Sequence, residues 1–131
     1  MKIGQLAELS GMSIDTIRFY EKQGLIPPPE RTRSNYRSYP EGTERRLVFI
    51  RKARNLGFTL QEIGQLLTLS EDCQAESRDV RERAQQKLRD LDARIQDMER
   101  MRQSLARLVQ ACSGNGPRSQ CPILEALSDD E

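Results

Sequence analysis

The sequence predicts a mainly α-helical chain in three parts. These are a winged helix-turn-helix domain over residues 1–70, a linker and long amphipathic helix over 71–111, and a cysteine-bearing loop and tail over 112–131. Three observations predict it. The first 25 residues hold two short helical patterns joined by Gly-Met-Ser, the spacing of a helix-turn-helix. The stretch from about residue 77 to 111 contains no Gly or Pro and repeats apolar side chains in steps of three and four. Composition agrees: 36% hydrophobic, 31% charged, 5% aromatic and no Trp favour solvated helices over a thick core.

Ile3, Leu6, Ala7 and Leu9 form the first apolar stripe, and Gly11 ends it. Ser13 is a good N-cap for the second helix, which carries Ile14, Ile17 and Phe19, and Asp15 lies in its first turn, where the helix dipole favours an anion. Gly24 is its expected stop, and IPPPE then forbids helix because each proline fixes φ and removes a donor. RTRSNYRSYP is polar, basic and β-prone, with Asn35 as turn residue, and reads as a hairpin or wing. A third helix is expected over residues 41–55 with Leu47, Val48, Ile50 and Ala53 inward, closed by Gly57. Thr59 caps a fourth, whose buried side is Leu60, Ile63, Leu66 and Leu67.

In the long helix the apolar residues are Val80, Ala84, Leu88, Leu91, Ile95, Met98, Met101, Leu105 and Leu108. Their spacing is that of a coiled-coil seam, shifted locally by the three-three step Ile95–Met98–Met101. About 35 residues at roughly 1.5 Å each make a helix about 50 Å long. That is too long to pack on the small domain before it, so a second copy is the expected partner.

The formal net charge of +1 conceals an asymmetry. Residues 1–60 carry 11 Lys/Arg against 6 Asp/Glu, a net +5, and residues 61–131 carry 10 against 14, a net −4. The basic half is the candidate for a polyanion. An enzyme is not expected: there is no His, no Gly-rich phosphate loop and no nucleophile–base pair. No stretch approaches the roughly 18–20 apolar residues of a membrane span and no signal-peptide pattern opens the chain, so a cytoplasmic location without membrane contact is expected. In that reducing compartment the three cysteines are expected to be free or metal-bound.

The second helix of a helix-turn-helix enters the major groove of double-stranded DNA. Here it offers Ser13, Asp15, Thr16, Arg18 and Tyr20, and the wing adds Arg31, Arg33, Asn35, Tyr36 and Arg37. Arg18 can fork onto phosphate or guanine, whereas Thr16 and Tyr20 can hydrogen-bond phosphates. Tyr39 is assigned to the core.

The stretches IGQLAELSGMSIDTIRFYEKQGLIPPPERTRSNYRSY and RRLVFIRKARNLGFTLQEIGQLL strongly resemble the MerR family of bacterial transcriptional regulators, through the TIRFYE core, the wing and the following helix pair. The resemblance covers essentially the whole chain. It implies a winged helix-turn-helix homodimer joined by an antiparallel coiled coil. Such a dimer activates promoters with an over-long spacer by distorting them for RNA polymerase. Its DNA-facing positions here would be Thr16, Arg18, Tyr20, Arg31, Asn35, Tyr36, Arg37 and Arg54. Asn35 stands where many relatives have glycine; it tolerates φ > 0, so the turn is expected to survive.

Thiolates select soft or borderline metals, and Cys112 and Cys121 flank a Gly/Ser/Pro loop. Alone they could hold a two-coordinate ion such as Cu(I), Ag(I) or Au(I). A divalent ion wants a third ligand, and Cys73 lies 39 residues before Cys112, on the order of 55 Å along a helix. Antiparallel pairing, with its two-fold near residue 93, would bring Cys73 of one subunit toward Cys112 and Cys121 of the other. The metal signals are mixed. Divalent-sensing relatives resemble one another in carrying a cysteine at the start of the long helix, where this chain has Ser77. The eight-residue loop and Cys73 instead resemble mercury, lead and zinc sensors, so a three-thiolate site for Hg(II), Pb(II), Cd(II) or Zn(II) is favoured. Zinc is weakened by the absence of His. A disulfide switch between the loop thiols is the rival function.

Overall fold

The computed structural model describes residues 1–31 and 37–129. Its elements run α1 (Ile3–Ser10), α2 (Ile14–Lys22), β1 (Glu30–Arg31), β2 (Arg37–Ser38), α3 (Thr43–Asn55), α4 (Leu60–Glu71), α5 (Ser77–Ala111), a 3₁₀ turn (Arg118–Gln120) and α6 (Pro122–Ser128). The chain divides into two compact units, Met1–Ala84 and Gln85–Glu131.

In the first unit, local chemistry sets the helix ends. The Ser13 side chain accepts from the Thr16 N–H, capping α2 as its sequence predicts. Thr59 and Glu62 form a reciprocal box at the start of α4: Thr59 N–H donates to Glu62 Oε1 at 2.8 Å, and Glu62 N–H donates to Thr59 Oγ1 at 3.2 Å. Gly11 ends α1 at φ +71°. A side chain there would be strained by the left-handed backbone, and its Cβ would lie 3.0 Å from Arg51 Nη1. That guanidinium is needed in place, since Nη1 donates to the Ser10 carbonyl.

The core gathers Leu6 from α1, Ile17 and Tyr20 from α2, Leu47, Ile50 and Ala53 from α3, and Ile63 and Leu67 from α4. Leu25, Ile26, Tyr39 and Phe58 complete it from the connections. Tyr39 is buried as assigned, and its hydroxyl donates to Glu21 Oε1 at 2.6 Å. β1 and β2 pair antiparallel with Glu30 opposite Ser38 and Arg31 opposite Arg37, the base of the expected hairpin.

Arg46 on α3 ties three segments together. Its Nε donates to the Leu25 carbonyl at 2.6 Å, and its Nη1 pairs with Glu71, the last residue of α4. Arg83 donates to Gln65 of α4, which keeps the opening turns of α5 with this unit.

Three assignments made from apolar periodicity differ in the structure. Leu9, Ile14 and Phe19 are exposed, Phe19 by 46%, so none belongs to the core. The physical reason for Phe19 is its step from Ile17. Two residues turn a helix by about 200°, which puts Phe19 on the opposite side.

Helix α5 runs uninterrupted for 35 residues. Its stripe of Val80, Leu88, Ile95, Met98, Met101 and Leu105 is exposed, Met98 by 67%. Leu91 and Leu108 are half-buried.

The capping box generates a stability prediction. Thr59→Ala removes the acceptor for the Glu62 N–H and should lower the unfolding free energy by about 1 kcal/mol. Thr59→Ser, which keeps the hydroxyl, should retain most of it; urea denaturation of both variants checks this.

Candidate nucleic-acid interface and thiol pair

Helix α2 buries Ile17 and Tyr20 and turns the opposite face outward. Asp15, Arg18, Phe19 and Lys22 are exposed there, and their positions in the sequence place them within about 100° of arc on the helix. Arg18 is therefore on the outward face of α2. Thr16 is half-buried, and its Oγ1 shares a 2.8 Å hydrogen bond with Ser13 Oγ at the helix start. Tyr20 requires a correction. Read from sequence as facing DNA, it is 8% exposed and a member of the core. Its place three residues after Ile17 puts both on one face. Its ring meets that of Phe19 with centroids 5.7 Å apart.

Arg31 is exposed on β1, and Arg54 is exposed in the last turn of α3. Arg37 contributes backbone to β2. Asn35 and Tyr36, expected at the wing, lie outside the described residues. Phe19 is the residue that sequence reasoning missed on the outward face of α2; its spacing from Ile17 was the available signal.

In the second unit α5 ends at Ala111, and Cys112 continues its hydrogen bonding, donating its N–H to the Leu108 carbonyl at 3.1 Å. The chain then turns through Gly114 and Gly116, both at positive φ, and the 3₁₀ turn returns it to Cys121. The outcome is a thiol pair: Cys112 Sγ and Cys121 Sγ lie 3.8 Å apart, both free and half-buried. At that separation they are unbonded, since a disulfide needs about 2.05 Å. The loop residues from Ala111 to Arg118, with Gln120, Pro122 and Leu124, line a half-open cleft of about 320 Å³ beside them.

Cys121 is the N-cap residue of α6, with Pro122 at the first helical position. Its thiol pKa is lowered, first by the Leu124 N–H and then by the Ile123 N–H and the Cys112 thiol, while partial desolvation opposes them. The first-turn N–H groups favour the thiolate without a short cap hydrogen bond.

Cys73 is exposed on the turn between α4 and α5, beside Asp72, whose Oδ1 accepts from the Gln74 N–H at 2.9 Å. Among the described residues no group of three or more His, Cys, Asp and Glu side chains is gathered to hold a metal ion. The structure thus brings Cys112 and Cys121 together within the second unit, while Cys73 belongs to the first. No helix of the described residues is long and apolar enough to cross a membrane.

The lowered pKa predicts reactivity. Alkylation of Cys121 by iodoacetamide, followed by peptide mass spectrometry across pH, should show a midpoint below that of an ordinary thiol. Cys112→Ser should raise that midpoint only slightly, because the Leu124 N–H is the larger cause.

Residues 1–69 match the family of MerR helix-turn-helix regulatory proteins, and residues 44–108 match the family described as MerR, DNA binding. The HTH-type transcriptional regulator HmrR of Rhizobium leguminosarum bv. viciae is 46% identical over 129 residues, covering 98% of each chain. The mercuric resistance operon regulatory protein of Bacillus cereus is 41% identical over 126 residues, covering 96% of each. Among solved structures, the transcription regulator PbrR691 from Ralstonia metallidurans CH34 in complex with lead(II) superposes with a TM-score of 0.85. It is 31% identical, with 98% of this chain and 99% of that one covered. Full-length similarity at this level, on a helix-turn-helix followed by a 35-residue helix, shows that the chain belongs to the MerR family of helix-turn-helix transcriptional regulators.

Proposed function

We propose that the chain is a metal-responsive transcription regulator that senses a soft, thiophilic ion through Cys112 and Cys121. The observation that carries this is the 3.8 Å approach of the two sulfurs across a closed loop. Cys112 and Cys121 would hold one such ion together, since two thiolates this close can both reach a single centre through bonds of about 2.3 Å. Thiolate donors with no His in the chain select soft ions over hard ones. The lowered pKa of Cys121 supplies part of the required thiolate before any ion arrives.

The functional unit is a homodimer on double-stranded promoter DNA. Two copies cover the exposed stripe of α5 with an antiparallel coiled coil. The outward face of α2 enters the major groove, with Arg18 at the bases or phosphates and Arg31 and Arg54 on the backbone. Thr16, Asn35, Tyr36 and Arg37 complete the interface by resemblance to the family. The effector converts the bound dimer into an activating state in which the promoter is distorted for RNA polymerase.

Two charge classes of ion follow from the donor set, each supported by a separate observation. A divalent ion is completed by Cys73 of the partner subunit, giving a three-thiolate site. The mercuric resistance regulator and the lead(II)-bound neighbour support this class. A monovalent ion such as Cu(I), Ag(I) or Au(I) needs only the loop pair. Ser77 at the first position of α5 supports that one.

Titrating the reduced protein with Cu(I), Hg(II), Pb(II), Cd(II) and Zn(II) tests both, read by the thiolate-to-metal absorption band. Cys112→Ser and Cys121→Ser should each abolish binding of about one ion per chain and the promoter response. Intact responses to every metal in both variants would overturn the sensor. Cys73→Ser should weaken divalent binding at least tenfold if the site has three thiolates and leave Cu(I) binding unchanged. If reduced and oxidised apo-protein differ in promoter activity while no metal binds, the loop is a disulfide switch instead.

A further inference from the structure

The outward face of α2 carries one group that charge does not explain. Asp15, Arg18 and Lys22 are solvated as expected, yet between them Phe19 leaves 46% of its surface in water. Leaving such a ring exposed forgoes burial energy that the same helix collects from Ile17 and Tyr20. The ring is also not loose. Its neighbour Tyr20 is anchored in the core, and the two centroids stand 5.7 Å apart with the planes inclined at 53°. Phe19 is thus a propped apolar surface beside an arginine, on a helix that belongs to a DNA-binding fold.

In the major groove a base pair containing thymine presents one apolar feature, the C5-methyl group, and an aromatic side chain can pack against it. Phosphates and the other base edges present polar atoms, which a phenyl ring cannot satisfy. We propose that Phe19 is a specificity-determining residue that packs against a thymine C5-methyl group in each half-site, next to the position approached by Arg18. This rests on the reading of α2 as the helix that enters the groove. Arg18 supplies hydrogen bonds and charge, and Phe19 supplies a preference for thymine that no polar side chain on this face provides.

The test begins by selecting duplexes from a randomised DNA pool with the full-length reduced protein and with Phe19→Ala. The wild-type chain should enrich thymine at one position per half-site, and the variant should lose enrichment there while keeping it elsewhere. In the selected duplex, that thymine is then replaced by deoxyuridine, which removes only the methyl group. Wild-type affinity should fall about fourfold, the value of one buried methyl-sized group. Phe19→Ala should bind the thymine and uracil duplexes equally. The uracil arm needs only the unaltered chain, so the proposal stays testable if the variant folds poorly. Unchanged wild-type affinity on the uracil duplex overturns the contact, as does a variant that still prefers thymine. If the wild-type chain enriches duplexes with no thymine-dependent position, the Phe19 contact alone fails. If it enriches no duplex, the groove-entering role of α2 fails with it.

Discussion

Helix α5 carries its apolar side chains on a stripe that one copy of the chain leaves in water, over 35 residues with no break. Helical propensity alone holds a helix of this length only marginally, and packing of the apolar stripe is what ordinarily stabilises it. The remaining architecture depends on that demand. A stripe of alternating threes and fours is met by a second helix of the same kind. Placing the DNA-contacting domain before the helix and the thiol loop after it makes the helix the only covalent route between the two functions. The same helix separates Cys73 from Cys112 in sequence.

The outward face of α2 and the thiol loop are built by opposite strategies. The outward face of α2 is presented by a core behind it: Ile17 and Tyr20 are buried, so Arg18 and Phe19 are turned out. The thiol pair has almost no core behind it. Gly114 and Gly116 at positive φ, a 3₁₀ turn and the first turn of α6 bring the sulfurs together. Backbone geometry rather than side-chain packing forms the site. A ligand whose binding energy comes from a few strong bonds needs no larger core than this.

Much of this was legible in the sequence, for identifiable reasons. The caps at Ser13 and Thr59 depend on residues within one turn, so local chemistry was sufficient. Tyr39 could be assigned to the core because its polar end had only to find one partner, and Glu21 provides it. The assignments of Phe19 and Tyr20 were exchanged because apolar character was weighed ahead of angular position. Counted around the helix, Tyr20 follows Ile17 and Phe19 opposes it. The cysteine spacing pointed to a site, but the 3.8 Å approach depends on two left-handed glycines and could not be read from spacing. The order of the tail had a signal: Pro122 directly after Cys121 is a favoured first helical residue, and α6 begins there.

The bond network of Arg46 has a mechanical side. One guanidinium joins the Leu25 carbonyl, just after α2, to Glu71, two residues before Cys73. Its two ends are unequal. The bond to Leu25 lies in a half-buried setting, whereas the Glu71 carboxylate is 60% exposed and open to screening by salt. A pull on the turn that carries Cys73 therefore meets a linkage with a weak end and a firm one. Salt therefore weakens the Glu71 end first, and the tie to the Leu25 carbonyl outlasts it.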